Sequence, residues 1–414
     1  MIAAACLTVC GLQTRDASGG EEEKSMEPEY RVVYARGDGG GYHTYRIPAL
    51  AVTGKGTILA FCEGRKNSKR DDGDIDMLLK RSFDNGRTWG PMQLVYEEGG
   101  GAPITIGNPC PIVDRDTGTV WLLFCRNNKR AFVTHSADDG ETWAEPVEIA
   151  AVAGGPGRNG YGTGPGQGIQ LEFGPHKGRL LATAWTGMLY SDDHGASWLI
   201  GGMARQPAEG LTQADPPYMQ GGECRVAETV AGDIYMTMRN GPAGHRRGIE
   251  GGKAAFSWSR DGGATWEAPG IKSNIIDGDC QHSLVRFTDE KNHDRNRHIF
   301  ANPDHLSRRM NLTVRISYDN CATWSDGKVL EPERAAYSDL CVLPDMNIGC
   351  LYECGRGGRS VYDSIMFASF SLEWLTDGKD ILTDSGPARA AQVSSTQNTN
   401  QHFLVDDLTD SHAQ

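Results

Sequence analysis

Three observations in the sequence predict an all-β chain folded as a six-bladed β-propeller with Asp-box turns. An eight-residue motif recurs five times, the copies are evenly spaced, and the composition suits tight turns packed with aromatic rings. The copies read SFDNGRTW from Ser82, SADDGETW from Ser136, SDDHGASW from Ser191, SRDGGATW from Ser259 and SYDNCATW from Ser317. Their starts lie 54, 55, 68 and 58 residues apart, a period that marks a repeat architecture. Glycine supplies 53 of the 414 residues and tryptophan nine, against a usual glycine share of about 7 %.

In chain order, the first ten residues, MIAAACLTVC, are small and apolar, and a polar, acidic stretch follows. This reads as the tail of an export signal, with Cys10 in a setting loosely like a lipoprotein cleavage site and so a candidate lipid anchor. The basic region of a full signal is missing, so a frayed start on a cytosolic protein is the other reading. An exported protein is the expectation, and residues 1–26 are set apart from the fold. Strand-like sequence then runs from Tyr30 to Trp374. Divided by the repeat spacing, that length gives six units, each long enough for four short strands, with one unit lacking the box. Each box follows a strand-like stretch: DMLLKR, RAFVTH, GMLY, KAAFSW and LTVRI. In the box itself the aspartate can accept hydrogen bonds from backbone N–H groups one or two residues on. The glycine permits positive φ, and the tryptophan packs over the strands. Cys321 replaces glycine in the last copy; a left-handed backbone there would cost about 1 kcal/mol. Residues 27–385 are assigned to the propeller and 386–414 to a polar tail with one apolar cluster, HFLV.

Composition narrows the function classes. The formal charge of −13 argues against a nucleic-acid binder, which would show a basic face. No run approaches the roughly 18 apolar residues of a membrane span. Eleven cysteines occur without a CxxC pair, and most sit in apolar runs such as ILAFCEG, so they read as core and not as zinc ligands. The glycine-rich GTGPGQGIQL lacks the spacing of a phosphate loop. Neither a metal nor a cofactor is expected.

Several charged residues stand in unusual company. Arg46 lies in HTYRIPAL, Arg239 ends DIYMTMRN and Arg309 precedes MNLTVRIS. Arginines at strand ends in three different repeats of a ring can converge on its axis, where guanidinium groups would bind a carboxylate bidentately. The acidic candidates are Asp71 and Asp72 in SKRDDGDID, Glu223 in QGGECRVAE and Glu353 in CLYECG. Glu223 lies 16 residues before Arg239; two antiparallel strands turning at AGD would bring both to one end of a blade. Tyr337, in RAAYSDLCVL, is expected to begin a strand.

Together YRIPAL, the five boxes, DDGDID, ECRVAE, RMNLTV and AYSDL resemble the exo-α-sialidases of glycoside hydrolase family 33, over residues 30–375. The resemblance implies a propeller, sialylated glycans, glycoproteins or glycolipids as substrates, and roles for named residues. Arg46, Arg239 and Arg309 match the triad that holds the sialic acid carboxylate, with Arg308 adjoining Arg309 as an alternative. Arg65, in CEGRKN, looks like the arginine near O4 of the sugar. Asp71 matches the general acid/base, with Asp72 the alternative. Tyr337 resembles the nucleophile, Glu223 its activating base, and Glu353 the glutamate that orients Arg46.

The chemistry suits these groups. The reacting carbon of sialic acid carries a carboxylate, which would repel the ionised carboxylate that attacks in most retaining glycosidases. Sialidases with a tyrosine nucleophile are a known exception to that pattern. A phenol is neutral, but with a reference pKa near 10 it needs a base within reach. Two rivals stand beside hydrolysis: transfer of the sialyl group to another hydroxyl, which the same residues would serve, and a propeller that only binds sialic acid, which would keep the arginines but lose one of the aspartate, glutamate or tyrosine.

Overall fold

The computed structural model describes residues 27–149, 162–184, 188–202, 223–241, 251–358 and 360–383. Residues 1–26 with Cys10 and the tail from 386 lie outside them. The described residues form five antiparallel sheets and one short helix, α1 (Leu372–Thr376).

Four sheets are four-stranded meanders in chain order. The first holds β2 (Thr44–Val52), β3 (Ile58–Arg65), β4 (Ile75–Ser82) and β5 (Gln93–Tyr96). The second holds β6 (Ile106–Val113), β7 (Val120–Arg126), β8 (Arg130–Ser136) and β9 (Val147–Glu148). The third holds β10 (Ile169–Gln170), β11 (Leu180–Ala182), β12 (Leu189–Ser191) and β13 (Leu199–Ile200). The fourth holds β14 (Cys224–Glu228), β15 (Ile234–Met238), β16 (Lys253–Ser259) and β17 (Gly270–Ile276).

The fifth sheet has seven strands. It runs through β18 (Ser283–Thr288), β19 (Arg297–Pro303), β20 (Met310–Ser317), β21 (Lys328–Val342), β22 (Ile348–Cys354) and β23 (Ser364–Phe370) to β1 (Glu29–Ala35). The first part of β21 pairs with β20 and the second part with β22. This sheet is therefore two four-strand sets sharing one long strand. Tyr337 does not begin a strand, as its sequence suggested, but lies inside β21 at the change of partner.

Strands covered on both faces read as near-continuous apolar runs, and β3 (ILAFCEGR) is buried from end to end. Its Phe61 shares an apolar cluster with Leu122 and Phe124 of β7 in the next sheet. Pro48, Pro109 and Pro111 lie in β2 and β6, the first strands of their sheets; an edge strand tolerates the missing N–H. Nine cysteines are free and buried, within the cores as expected.

Every box begins on the last residue of a third strand. In the first, the Ser82 hydroxyl accepts the Gly86 N–H at 2.9 Å. Asp84 accepts the Thr88 N–H at 2.9 Å and the Thr88 hydroxyl at 2.6 Å. The same bonds recur around Asp138, Asp193, Asp261 and Asp319. The aspartate thus closes a loop four residues long, where the sequence suggested one or two. Two successive left-handed residues make the turn: Asn85 and Gly86 in the first copy (φ 58° and 83°), Asn320 and Cys321 in the last (56° and 68°). Cys321 keeps the backbone that glycine adopts elsewhere.

The box tryptophans reach across to strands of a neighbouring sheet. Trp89 meets Phe367, Trp143 meets Phe61 and Trp198 meets Trp121, with ring centroids 5.4, 5.6 and 6.3 Å apart. Glycine is needed here for room as well as for φ: a Cβ on Gly86 would lie 2.1 Å from the Phe367 ring. Gly86→Ala is therefore expected to destabilise the protein by about 2–4 kcal/mol, summing a left-handed alanine and an overpacked contact. Urea unfolding followed by tryptophan fluorescence would measure it.

Candidate active site

Irregular backbone gathers at one level of the first strands. In β2 the register shifts between Arg46 and Ala49, and Ile47 is left-handed (φ 58°). In β6 it shifts between Gly107 and Cys110, with Asn108 at φ 57°. In β21 it shifts between Ala335 and Ser338, around Tyr337. Glu223, immediately before β14, is left-handed too (φ 53°). Bulges of this kind re-aim side chains beside functional sites, and a left-handed isoleucine persists only where its surroundings hold it.

Glu353 does the holding. Its side chain is fully buried and accepts from four donors: Arg46 Nε at 2.8 Å, Arg46 Nη2 at 3.3 Å, the Ile47 N–H at 3.0 Å and the Tyr337 N–H at 3.3 Å. One carboxylate from β22 therefore fixes the arginine, the strained turn after it and the backbone of the tyrosine. Arg46 is buried, and its Nη1 donates to Asp71 Oδ1 at 2.9 Å.

Asp71 projects from the loop between β3 and β4, with most of its side chain open to solvent (77 %). The same oxygen accepts from Arg65 Nη1 at 2.8 Å. Partial burial would raise the Asp71 pKa, but Arg65 and then Arg46 outweigh it and hold the carboxyl below the usual range. Asp72 turns away and pairs with Arg70 at the surface. Arg65 is held from behind by Glu63, whose Oε2 accepts from Nε at 2.9 Å and from Nη2 at 2.6 Å.

On the opposite side the Tyr337 hydroxyl donates to Glu223 Oε1, while Arg239 Nη1 donates to Glu223 Oε2 and, at 3.0 Å, to the tyrosine oxygen. Glu223 and Arg239 flank a hairpin in which Cys224 faces Met238, the pairing the AGD turn suggested. Burial first, and Glu223 second, push the Tyr337 pKa well above its ordinary value against the pull of Arg239 and Arg309. Tyr337 is thus a neutral phenol with a carboxylate already on its proton. Arg239 Nε is also held by Asp279 Oδ1 at 2.9 Å.

The Arg309 guanidinium stands 5.2 Å from the centre of the Tyr337 ring. It donates to the Tyr362 hydroxyl at 3.0 Å and to the Asp279 carbonyl at 3.1 Å. Arg308 is exposed on the preceding loop. Tyr362 lies between two of the arginines, its ring 4.0 Å from the Arg46 guanidinium.

Arg46, Arg65, Asp71, Glu223, Arg239, Arg309, Tyr337 and Glu353 therefore come together in one contact network. Sequence reasoning missed Glu63, Asp279 and Tyr362. Of these only Glu63 left a signal, as an acid two residues before Arg65 in an otherwise apolar strand. Asp114, Asp116 and His194 also lie close enough to share a cation. The two Asp114 oxygens already accept from Gln170 Nε2 and the Thr117 hydroxyl, so the group reads as a closed hydrogen-bond network.

Residues 56–351 match the BNR repeat-like domain family. A sialidase from Micromonospora viridifaciens is 31 % identical over 407 residues, covering 90 % of this chain and 59 % of its own length. An exo-alpha-sialidase from Arthroderma benhamiae is 29 % identical, covering 82 % of this chain and 86 % of its own. Among solved structures, the Hadza microbial sialidase Hz136 superposes with a TM-score of 0.70 at 26 % identity, over 84 % of this chain and 69 % of that one. An intramolecular trans-sialidase from Ruminococcus gnavus gives 0.67 at 18 % identity, over 83 % of this chain and 97 % of that one, and shares the fold. The repeats, the sheet arrangement and these likenesses agree: the chain belongs to the BNR repeat-like domain family and is similar over most of its length to sialidases.

Proposed function

We propose that the chain hydrolyses terminal α-linked sialic acid from glycans, glycoproteins and glycolipids, with net retention, through a tyrosyl–enzyme intermediate. On this reading its six four-strand sets are the six blades of a propeller, and the contact network lies where the first strands meet. The carrying observation is the hydrogen-bonded Tyr337–Glu223 pair set among three arginines. Arg309 meets no carboxylate of the described residues, whereas Glu353 and Asp71 occupy Arg46 and Glu223 and Asp279 occupy Arg239. An incoming carboxylate would find its unneutralised partner there and place C2 of the sugar over the tyrosine.

Tyr337 would attack C2 as its proton passes to Glu223, and the bond to the glycosidic oxygen would break as Asp71 protonates it. Asp71 would then draw a proton from water as its oxygen attacks C2, the bond from C2 to the Tyr337 oxygen would break, and Glu223 would return its proton to that oxygen. In the free protein Asp71 is kept ionised by two arginines. A substrate carboxylate taking Arg46 Nη1 would remove one of them and let its pKa rise towards the value an acid catalyst needs.

Release of fluorescence from 4-methylumbelliferyl sialoside tests the activity, and NMR of the first-formed product tests retention. No release would leave a binding-only propeller, while an anhydro or transferred product would identify a transferase. Asp71→Ala is expected to lower turnover of natural sialosides by about 10²–10⁴-fold and of the aryl sialoside far less, because a phenolate leaves without protonation. Equal losses on both substrates would remove Asp71 from the acid role.

A further inference from the structure

Carboxylate partners are the rule for the arginines of this acidic protein. Among the described residues only Arg36, Arg308, Arg309 and Arg334 form no ion pair. Arg36 stands apart, bonded to His43. The other three line an open cleft of about 400 Å³ with Met310 and Val361, and no acidic side chain among the described residues contributes to its wall.

Local structure explains the gathering. Arg308 and Arg309 end the loop into β20, and the next residue, Met310, pairs across the sheet with Arg334 of β21. The Ala335 N–H donates to the Arg309 carbonyl at 3.2 Å, which holds the two segments together. Val361 brings in the segment whose next residue, Tyr362, binds Arg309. The cleft is thus joined to the proposed site through Arg309. Gathering three like charges with no contact ion pair among the described residues is unfavourable, and an anionic ligand would relieve it.

We propose that this cleft is an aglycone subsite for an anionic sugar, one bearing a carboxylate or a sulfate ester next to the scissile bond. The inference rests on the sialidase reading. In a sialoside the carboxylate and the glycosidic oxygen share one carbon, so the aglycone leaves the site beside the arginines that hold the carboxylate. Met310 and Val361 give that sugar an apolar wall, and Arg308 and Arg334 take its charge. Arg309 stays with the carboxylate of the sugar being released.

The test compares kcat/KM for 3′-sialyllactose, the same trisaccharide sulfated on galactose, and an α2,8-linked disialyl substrate. The sulfated and unsulfated pair holds linkage constant. Arg308→Ala and Arg334→Ala are each expected to lower kcat/KM on an anionic aglycone by about three- to tenfold, and on 3′-sialyllactose by less than about twofold. Arg334→Lys should retain most of the preference, and added salt should erode it. A gain with both anionic substrates assigns the subsite to anions generally; a gain with the disialyl substrate alone assigns it to a carboxylate. Variants that lose activity equally on all three substrates, or a wild-type protein indifferent to the added charge, would overturn the subsite and leave the hydrolase standing. Failure to release sialic acid from any substrate would instead overturn the hydrolase reading.

Discussion

Replacing Tyr337 by phenylalanine is expected to lower kcat by at least about a thousandfold while the protein stays folded. The change removes one oxygen. The ring keeps its place in the small cluster with Ile47, Cys280 and Ala336, and the Tyr337 N–H still reaches Glu353. What is lost is the proposed nucleophile, together with one partner each for Glu223 and Arg239. Those two still bind each other, so neither buried charge is left alone. Binding of a dehydrated sialic acid analogue should therefore change little, and the loss should appear in kcat. Near-normal turnover would rule out the tyrosyl intermediate, and a matching loss of thermal stability would show that the variant reports on folding.

Glu353→Gln is expected to harm stability and activity together. It leaves Arg46 buried, with Asp71, mostly open to solvent, as its remaining counter-charge. Breaking a buried pair from one side costs about 3–5 kcal/mol, visible as a lower urea midpoint. The amide cannot satisfy two arginine nitrogens and two backbone N–H groups as the carboxylate does, so the left-handed turn at Ile47 should relax. Misplacement of a positioned group by an ångström costs about a hundredfold in kcat/KM. Arg46→Met in the same protein should restore stability but not turnover, because it removes the stranded charge along with the proposed substrate contact. A stable, active Glu353→Gln variant would refute the positioning role.

Much of this geometry can be read from local sequence, and the unread part has one physical character. The boxes are legible because serine, aspartate, glycine and threonine bond within eight residues. Glu223 and Arg239 are legible as partners because a single hairpin joins them. By contrast Glu353 meets Arg46 from another sheet, Tyr362 reaches Arg309 from a loop after β22, and Asp279 reaches Arg239 from the far end of its own sheet. Such pairings join segments 307, 53 and 40 residues apart, which no local pattern encodes. The same holds for β21: its pairing partner changes midway, and where the sequence suggested a strand beginning at Tyr337 one strand runs on from Lys328 to Val342. Arg308 and Arg309 are adjacent in sequence; the fold sets Arg309 against Tyr337 and leaves Arg308 exposed, and both line the open cleft.

The seven-stranded sheet also bears on the timing of assembly. Its outer strand is β1, from the start of the described chain, and its neighbour β23 comes roughly three hundred residues later. During synthesis the 29–35 segment must therefore wait, extended and unpaired, until nearly the whole chain has left the ribosome. Until then β1 has no partner, and an unpaired strand invites pairing with other chains. The last contact to form would thus be the one joining the two ends, and the rate of that late closure would set how much newly made protein escapes aggregation.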